Sequence, residues 1–354
     1  MPFFVLIVLV VTVGTYILLT GAASLGFITA RRQDSPPDPS EWPTVSVVVP
    51  GAAPPNSDSS NSEILQQIRS CNYPSGRLEL LVLTDGSIEH SPPERGGAAT
   101  VRRISVPERT PGLHAPWSTL QRGIEAAEGK IILSMSGGDT GSPQWIRSMV
   151  RHCTSDTPVV VGPTIIEHGD LFLPRLQALQ HLGRLAFTGG ASSLGLPTQI
   201  GPSNLALHTG AFRPESCRGA PTEFGRVAAF NPATDAAVRH APVSSFAEFF
   251  RRQARWFRRA TETPSRIVQG QAAGLWLVHT VLLACSLVAV AAPAWRQPTL
   301  IALVGKMGAD IVLSLPAAKH YGQRPLLRSI VPSELMLVLT IPGAGIWSLL
   351  GSDS

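Results

Sequence analysis

The chain has 354 residues, of which 44% are apolar and only 15% charged, and it carries a formal net charge of +5. That length suits one large domain or two, and the composition is oily for a soluble enzyme. The positive charge gathers beside the apolar spans, which suits an anionic bilayer surface or a phosphate-bearing substrate and argues against nucleic acid as a partner. Cys71, Cys153, Cys217 and Cys285 lack metal-ligand spacing and are expected as free thiols.

In chain order, residues 3–30 contain no charged side chain. A run of roughly 20 apolar residues crosses a bilayer, and this one has neither a basic leader nor a clear cleavage site, so an uncleaved anchor is expected over residues 1–30. Arg31 and Arg32 follow at once, which places the next part of the chain in the cytoplasm, at the plasma (inner) membrane. Residues 31–43 (RRQDSPPDPSEWP) form a Pro-rich linker. VSVVVP (45–50) reads as a buried strand, and Ile64, Leu65 and Ile68 have helical spacing. LELLVLT (78–84) is a second strand ending in Asp85-Gly86-Ser87, and 101–106 is a third. STLQRGIEAAEG is helical, with Gly129 expected to stop it. KIILSMS (130–136) is a fourth strand, SPQWIRSMVRHC a helix, and PVVVGPTII (158–166) a fifth strand.

Strands that are apolar on both faces and alternate with helices indicate an α/β domain with a mostly parallel sheet. Ligands of such sheets bind at the carboxyl ends of the strands, which puts Asp85 and the turn Ser136 to Asp139 at the expected ligand edge. SFAEFFRRQARWFRRA (245–260) reads as a basic, aromatic helix lying in a membrane interface. Three further apolar spans follow, 272–295, 300–318 and 330–350. Within the second, Lys306 and Asp310 are four apart and are expected to pair along one helix face, turned toward the other helices.

WPTVSVVVP, CNYPSGRLELLVLTDGS, GIEAAEGKIILSMSGGDTGSPQWI and RRQARW ahead of membrane spans together resemble a membrane-anchored family 2 glycosyltransferase. The resemblance covers nearly the whole chain. It implies a cytoplasmic GT-A-type nucleotide-sugar-binding domain over 44–244, an amphipathic helix with the Arg-x-x-Arg-Trp motif over 245–262, and three transmembrane helices over 272–350. It implies inverting transfer of a sugar from a nucleotide-sugar to a lipid or polysaccharide acceptor. Such chemistry uses Mn²⁺ or Mg²⁺ held by an Asp-x-Asp pair to neutralise the leaving diphosphate, and a carboxylate base for the acceptor hydroxyl.

Carried over residue by residue, the acids are depleted. Asp85 is the surviving acid of the family's Asp-Asp-Gly-Ser and can contact the nucleotide, although an aspartate before glycine is also an ordinary turn residue. The Asp-x-Asp pair falls on Ser136 and Gly138, which leaves Asp139, one position late, as the metal and diphosphate ligand. A turn that caps the next helix through Asp139, Thr140 or Ser142 is the competing reading. Glu223 is the candidate base, with a solvated loop glutamate as its alternative. Asn204, in Gly-Pro-Ser-Asn, matches the acceptor-side segment. Arg252-Gln253-Ala254-Arg255-Trp256 is intact, giving Arg252 and Arg255 to the diphosphate and Trp256 to the acceptor. Two readings follow: a divergent glycosyltransferase, or an inactive relative that serves as a membrane scaffold or binds a partner enzyme.

Overall fold

The computed structural model describes residues 2–50, 64, 66–85, 94–96, 99–106, 115–209 and 228–350. The chain divides into two compact units. One comprises Arg31–Ile165 and Ile200–Ala241, the other Met1–Ala30, Ile166–Gln199 and Pro242–Ser354.

The first unit is built on β1 (Val45–Val49), whose five residues are all buried. It is flanked on both sides by parallel neighbours, β2 (Leu78–Asp85) and β5 (Ile131–Ser134), and both of its faces are packed into core, which is why four of its five residues are valine. β4 (Ala99–Val106) continues the sheet in parallel beyond β2, and β3 (Glu94–Gly96) closes that edge in antiparallel. On the other side β9 (Leu205–His208) runs antiparallel between β5 and β7 (Val159–Val161), and β10 (Ala228–Phe230) lies parallel to β7. The sheet is thus mostly parallel, as expected, with one inserted antiparallel strand that the sequence did not announce.

The expected fifth strand is two strands. After β7 the chain breaks at Gly162-Pro163 and resumes as β8 (Thr164–Ile166), which joins β6 (Thr140–Gly141) and β11 (Val238–His240) in a small second sheet of order β6-β11-β8. Helix α2 (Ala115–Ala126) ends before Gly129. That glycine serves a close approach rather than a helix stop: a Cβ there would lie 2.5 Å from the Ser46 amide nitrogen on β1. Helix α3 (Trp145–His152) buries Trp145, Ile146 and Met149 against the sheet.

Among the described residues, the second unit contains four helices long and apolar enough to cross a membrane: α1 (Pro2–Ala30), α6 (Arg266–Ala291), α7 (Arg296–His320) and α8 (Ile330–Leu350). Two more helices belong to it, α4 (Phe172–Ser193) and α5 (Phe246–Glu262). α4 presses on α1 through small residues. A Cβ on Gly190 would collide with the Ala23 carbonyl, and one on Gly26 would lie 2.8 Å from Ser193 Oγ. This is the close crossing that small residues permit in apolar surroundings.

The expected Lys306–Asp310 pair forms at 2.8 Å and is part of a larger cluster. Lys306 also pairs with Glu334 of α8, and the Tyr16 hydroxyl of α1 donates to Asp310 at 2.5 Å. Lys306 is 2% exposed. Removing one partner of a buried pair costs about 3–5 kcal/mol because the other charges stay behind. Lys306→Met therefore leaves two facing carboxylates, and a drop in thermal unfolding temperature of the detergent-solubilised protein is expected. Lys306→Met combined with Asp310→Asn and Glu334→Gln should regain most of the loss.

Candidate functional site at the carboxyl edge of the sheet

Strand β5 leads into a turn in which the Asp139 amide donates to the Ser136 carbonyl at 3.1 Å. Gly138 takes φ +85°, a conformation that suits glycine. Asp139 does not cap α3. The N-cap residue of α3 is Gln144, which makes no side-chain capping bond; Ser142 Oγ closes the turn before it, accepting from the Gln144 amide at 3.2 Å while donating to the Asp235 carbonyl at 2.8 Å.

Asp139 is instead 1% exposed, and both its oxygens are engaged. Oδ2 accepts from the Ser203 hydroxyl at 2.7 Å, and Oδ1 is hydrogen-bonded by His240 Nδ1. The pairing of β6 with β11 explains this meeting. Thr140 stands opposite Arg239, so Asp139 and His240 are the next pair along. The carboxylate accepts, so Nδ1 carries the hydrogen of this bond. The imidazole is 28% exposed, and it is a polar group the sequence reading did not single out. Two- and three-residue strands carry no usable periodicity, and the partners are 101 residues apart.

Asn204 is fully buried and adopts φ +55°. Its Nδ2 donates to the carbonyls of Pro163 at 2.7 Å and Ala236 at 2.9 Å, while Oδ1 accepts from Trp145 Nε1 at 2.9 Å. A Cβ on Gly162 would run into this amide. Asn204 thus locks the segment that crosses the end of β5, where Ser134 Oγ donates to the Pro202 carbonyl at 2.5 Å. Its side chain serves as a strut, so any part it has at an acceptor runs through the segment it holds.

The other expected site residues distribute as follows. Asp85 is the last residue of β2, at the carboxyl edge. Glu223 lies outside the described residues. Arg252, Arg255 and Trp256 lie on α5, in the unit with the apolar helices. Ser245 caps α5 by accepting from the Glu248 amide at 3.2 Å. Phe249, Ala254 and Phe257 of α5 pack with Leu337 and Ile341 of α8. Arg255 is exposed, and Arg252 and Trp256 are half-buried.

The donor set at Asp139 does not fit a divalent cation. A hard cation takes several oxygen ligands, whereas the one carboxylate here is buried and each of its oxygens already accepts a hydrogen bond, from Ser203 and from His240. Among the described residues, no group of three His, Cys, Asp or Glu side chains gathers where a metal could sit.

No known protein-family profile and no curated protein sequence matches this chain. Solved structures do. The mannosyltransferase PcManGT from Pyrobaculum calidifontis, in complex with GDP-Man and Mn²⁺, superposes with a TM-score of 0.53 at 18% identity, covering 94% of this chain and 99% of that one. TarS residues 1–349 from S. aureus, with UDP-GlcNAc, gives a TM-score of 0.37 at 11% identity, covering 87% of this chain and 92% of that one. The chain thus shares its fold with PcManGT, with a mostly parallel α/β sheet and long apolar helices.

The strut at Asn204 can be tested by itself. Asn204→Ala leaves Trp145 Nε1 and the Ala236 carbonyl buried without these partners, each costing about 1–3 kcal/mol, while the Pro163 carbonyl keeps the Val238 amide. Chemical denaturation should show the variant destabilised by more than any single surface substitution on the same unit.

Proposed function

We propose that this chain is a membrane-bound, family 2-like glycosyltransferase of GT-A type that takes a nucleotide-sugar donor and acts on a lipid or polysaccharide acceptor at the cytoplasmic face. The observation that supports this most is the superposition on a mannosyltransferase over 94% of the chain, apolar helices included. The intact Arg252-Gln253-Ala254-Arg255-Trp256 motif on α5 adds to it.

In this reading Arg252 and Arg255 carry the charge of the donor diphosphate, which guanidinium forks match in geometry. Asp85 accepts a hydrogen bond from the base or ribose, Trp256 faces the acceptor, and Glu223 takes the proton of its hydroxyl. No step is assigned to a cation. Arginines can stabilise a leaving phosphate in its stead, while Asp139 holds His240 and Ser203 in place.

The burial of Asp139 also favours a second reading, an inactive relative that keeps the fold as a membrane scaffold or partner-binding subunit. Losing metal and base together costs several kcal/mol of barrier, at about 1.4 kcal/mol per tenfold in rate.

Calorimetry on the full-length protein in detergent separates these ideas. The glycosyltransferase reading expects saturable binding of GDP or UDP, weakened about tenfold or more when Arg255→Ala removes a charge-assisted contact. Turnover of the matching nucleotide-sugar should accompany it and be lost in Glu223→Gln. Binding without turnover selects the scaffold reading, and no saturable binding of either nucleotide contradicts the donor assignment.

A further inference from the structure

Helices α4 and α5 bring an arginine of one onto an aromatic ring of the other. The Arg184 guanidinium on α4 lies 4.6 Å from the centroid of the Trp256 ring on α5. Its Nη2 is buried and has no hydrogen-bond partner. Burial, and after it the charge of Arg252, push the Arg184 pKa down to about 9, so the group remains a cation at neutral pH. Arg259 is lowered as well, first by burial and then by Arg255 and Arg252, with Glu262 acting in the opposite sense.

The arrangement is held firmly. Gln177 of α4 exchanges two hydrogen bonds with the Val243 main chain ahead of α5, at 3.1 and 2.9 Å. Gln199 donates to the Trp256 carbonyl at 3.1 Å. A withdrawn guanidinium beside like charges, with one nitrogen of its fork unspent, is costly by itself and is relieved by an anion. Stacking on tryptophan orients the fork but does not neutralise it.

We propose that Arg184, stacked on the Trp256 ring, forms a binding site for the phosphate headgroup of an anionic membrane lipid. The shared chemistry is a phosphate oxygen pair facing a guanidinium, which a nucleoside diphosphate could also supply. The lipid is favoured by what surrounds the site. Gly183, the residue before Arg184, lies beside Ser314 of α7, a Cβ there falling 3.5 Å from its Oγ. Ser314 belongs to a candidate membrane span, and a tryptophan beside arginine at such a level is a usual interfacial pairing. The inference deepens the acceptor half of the proposed function, which assigns no role to Arg184, and it rests on that reading only for the identity of the membrane substrate.

The test uses the full-length protein, delipidated in detergent and offered equal amounts of phosphatidic acid and phosphatidylcholine, with retained lipid counted by mass spectrometry. Phosphatidic acid should be retained over phosphatidylcholine by about tenfold, the scale of one charge-assisted contact. Arg184→Gln should abolish the preference and Arg184→Lys should keep part of it, while the affinity of either variant for GDP or UDP stays that of wild type. Equal retention of the two lipids by wild type overturns the proposal, as does an unchanged preference in Arg184→Gln. Loss of nucleotide affinity in Arg184→Gln with phosphatidic acid unaffected also overturns it, and moves the site to the nucleotide. If Arg184→Gln fails to fold by circular dichroism, wild type and Arg184→Lys decide on the same criteria. A protein that prefers phosphatidic acid but takes no nucleoside diphosphate keeps this site and loses the donor assignment, so the two failures are distinct.

Discussion

A buried carboxylate with both oxygens engaged organises the edge of the sheet where a ligand would be expected. Asp139 receives the Ser203 hydroxyl and the His240 ring, and each partner belongs to a different part of the chain. Ser203 sits on the segment that crosses the end of β5, and His240 ends a strand of the small second sheet. Burying an ionised carboxylate costs several kcal/mol unless its hydrogen bonds are made. The three elements are therefore obliged to meet. The same demand withdraws the one acid left in LSMSGGDT from the surface, so the residue that identifies the site by position is committed to holding the site together.

The unit with the apolar helices solves the opposite problem. Its buried charges at Lys306, Asp310 and Glu334 find one another across two helices, and Tyr16 of a third donates a hydrogen bond to the cluster. Small residues at Gly26 and Gly190 let α1 and α4 approach closely. Arginine is treated differently there. On α4 and α5 guanidiniums are packed near each other and against an aromatic ring, a pattern that packing alone does not reward.

Much of this was legible in the sequence, and the reasons are physical. β1, β2 and β5 are apolar on both faces because each face packs into a buried cluster, and four helices announce themselves by length and hydropathy. The Lys306–Asp310 pair followed from helical spacing, but Glu334 and Tyr16 did not, since their approach depends on how three helices pack. The antiparallel insertion of β9, the β6–β11 pairing that delivers His240, and the left-handed Asn204 are long-range or too short to leave a period. Helix α4 was missed because arginine, histidine and glycine interrupt its apolar pattern. Gly129 was read by local logic as a helix stop, whereas its reason is the β1 backbone beside it. Glu223 lies outside the described residues, so the base of the expected chemistry rests on the resemblance alone.

We propose that Asp139 is a structural acceptor and not the ligand of a catalytic cation. Electron paramagnetic resonance of Mn²⁺, titrated with the full-length protein in the presence of GDP or UDP, measures this directly. The account predicts that free Mn²⁺ falls no further than the nucleotide alone explains, in wild type and in Asp139→Asn alike. One tightly held Mn²⁺ per chain in wild type, lost in Asp139→Asn, would contradict it.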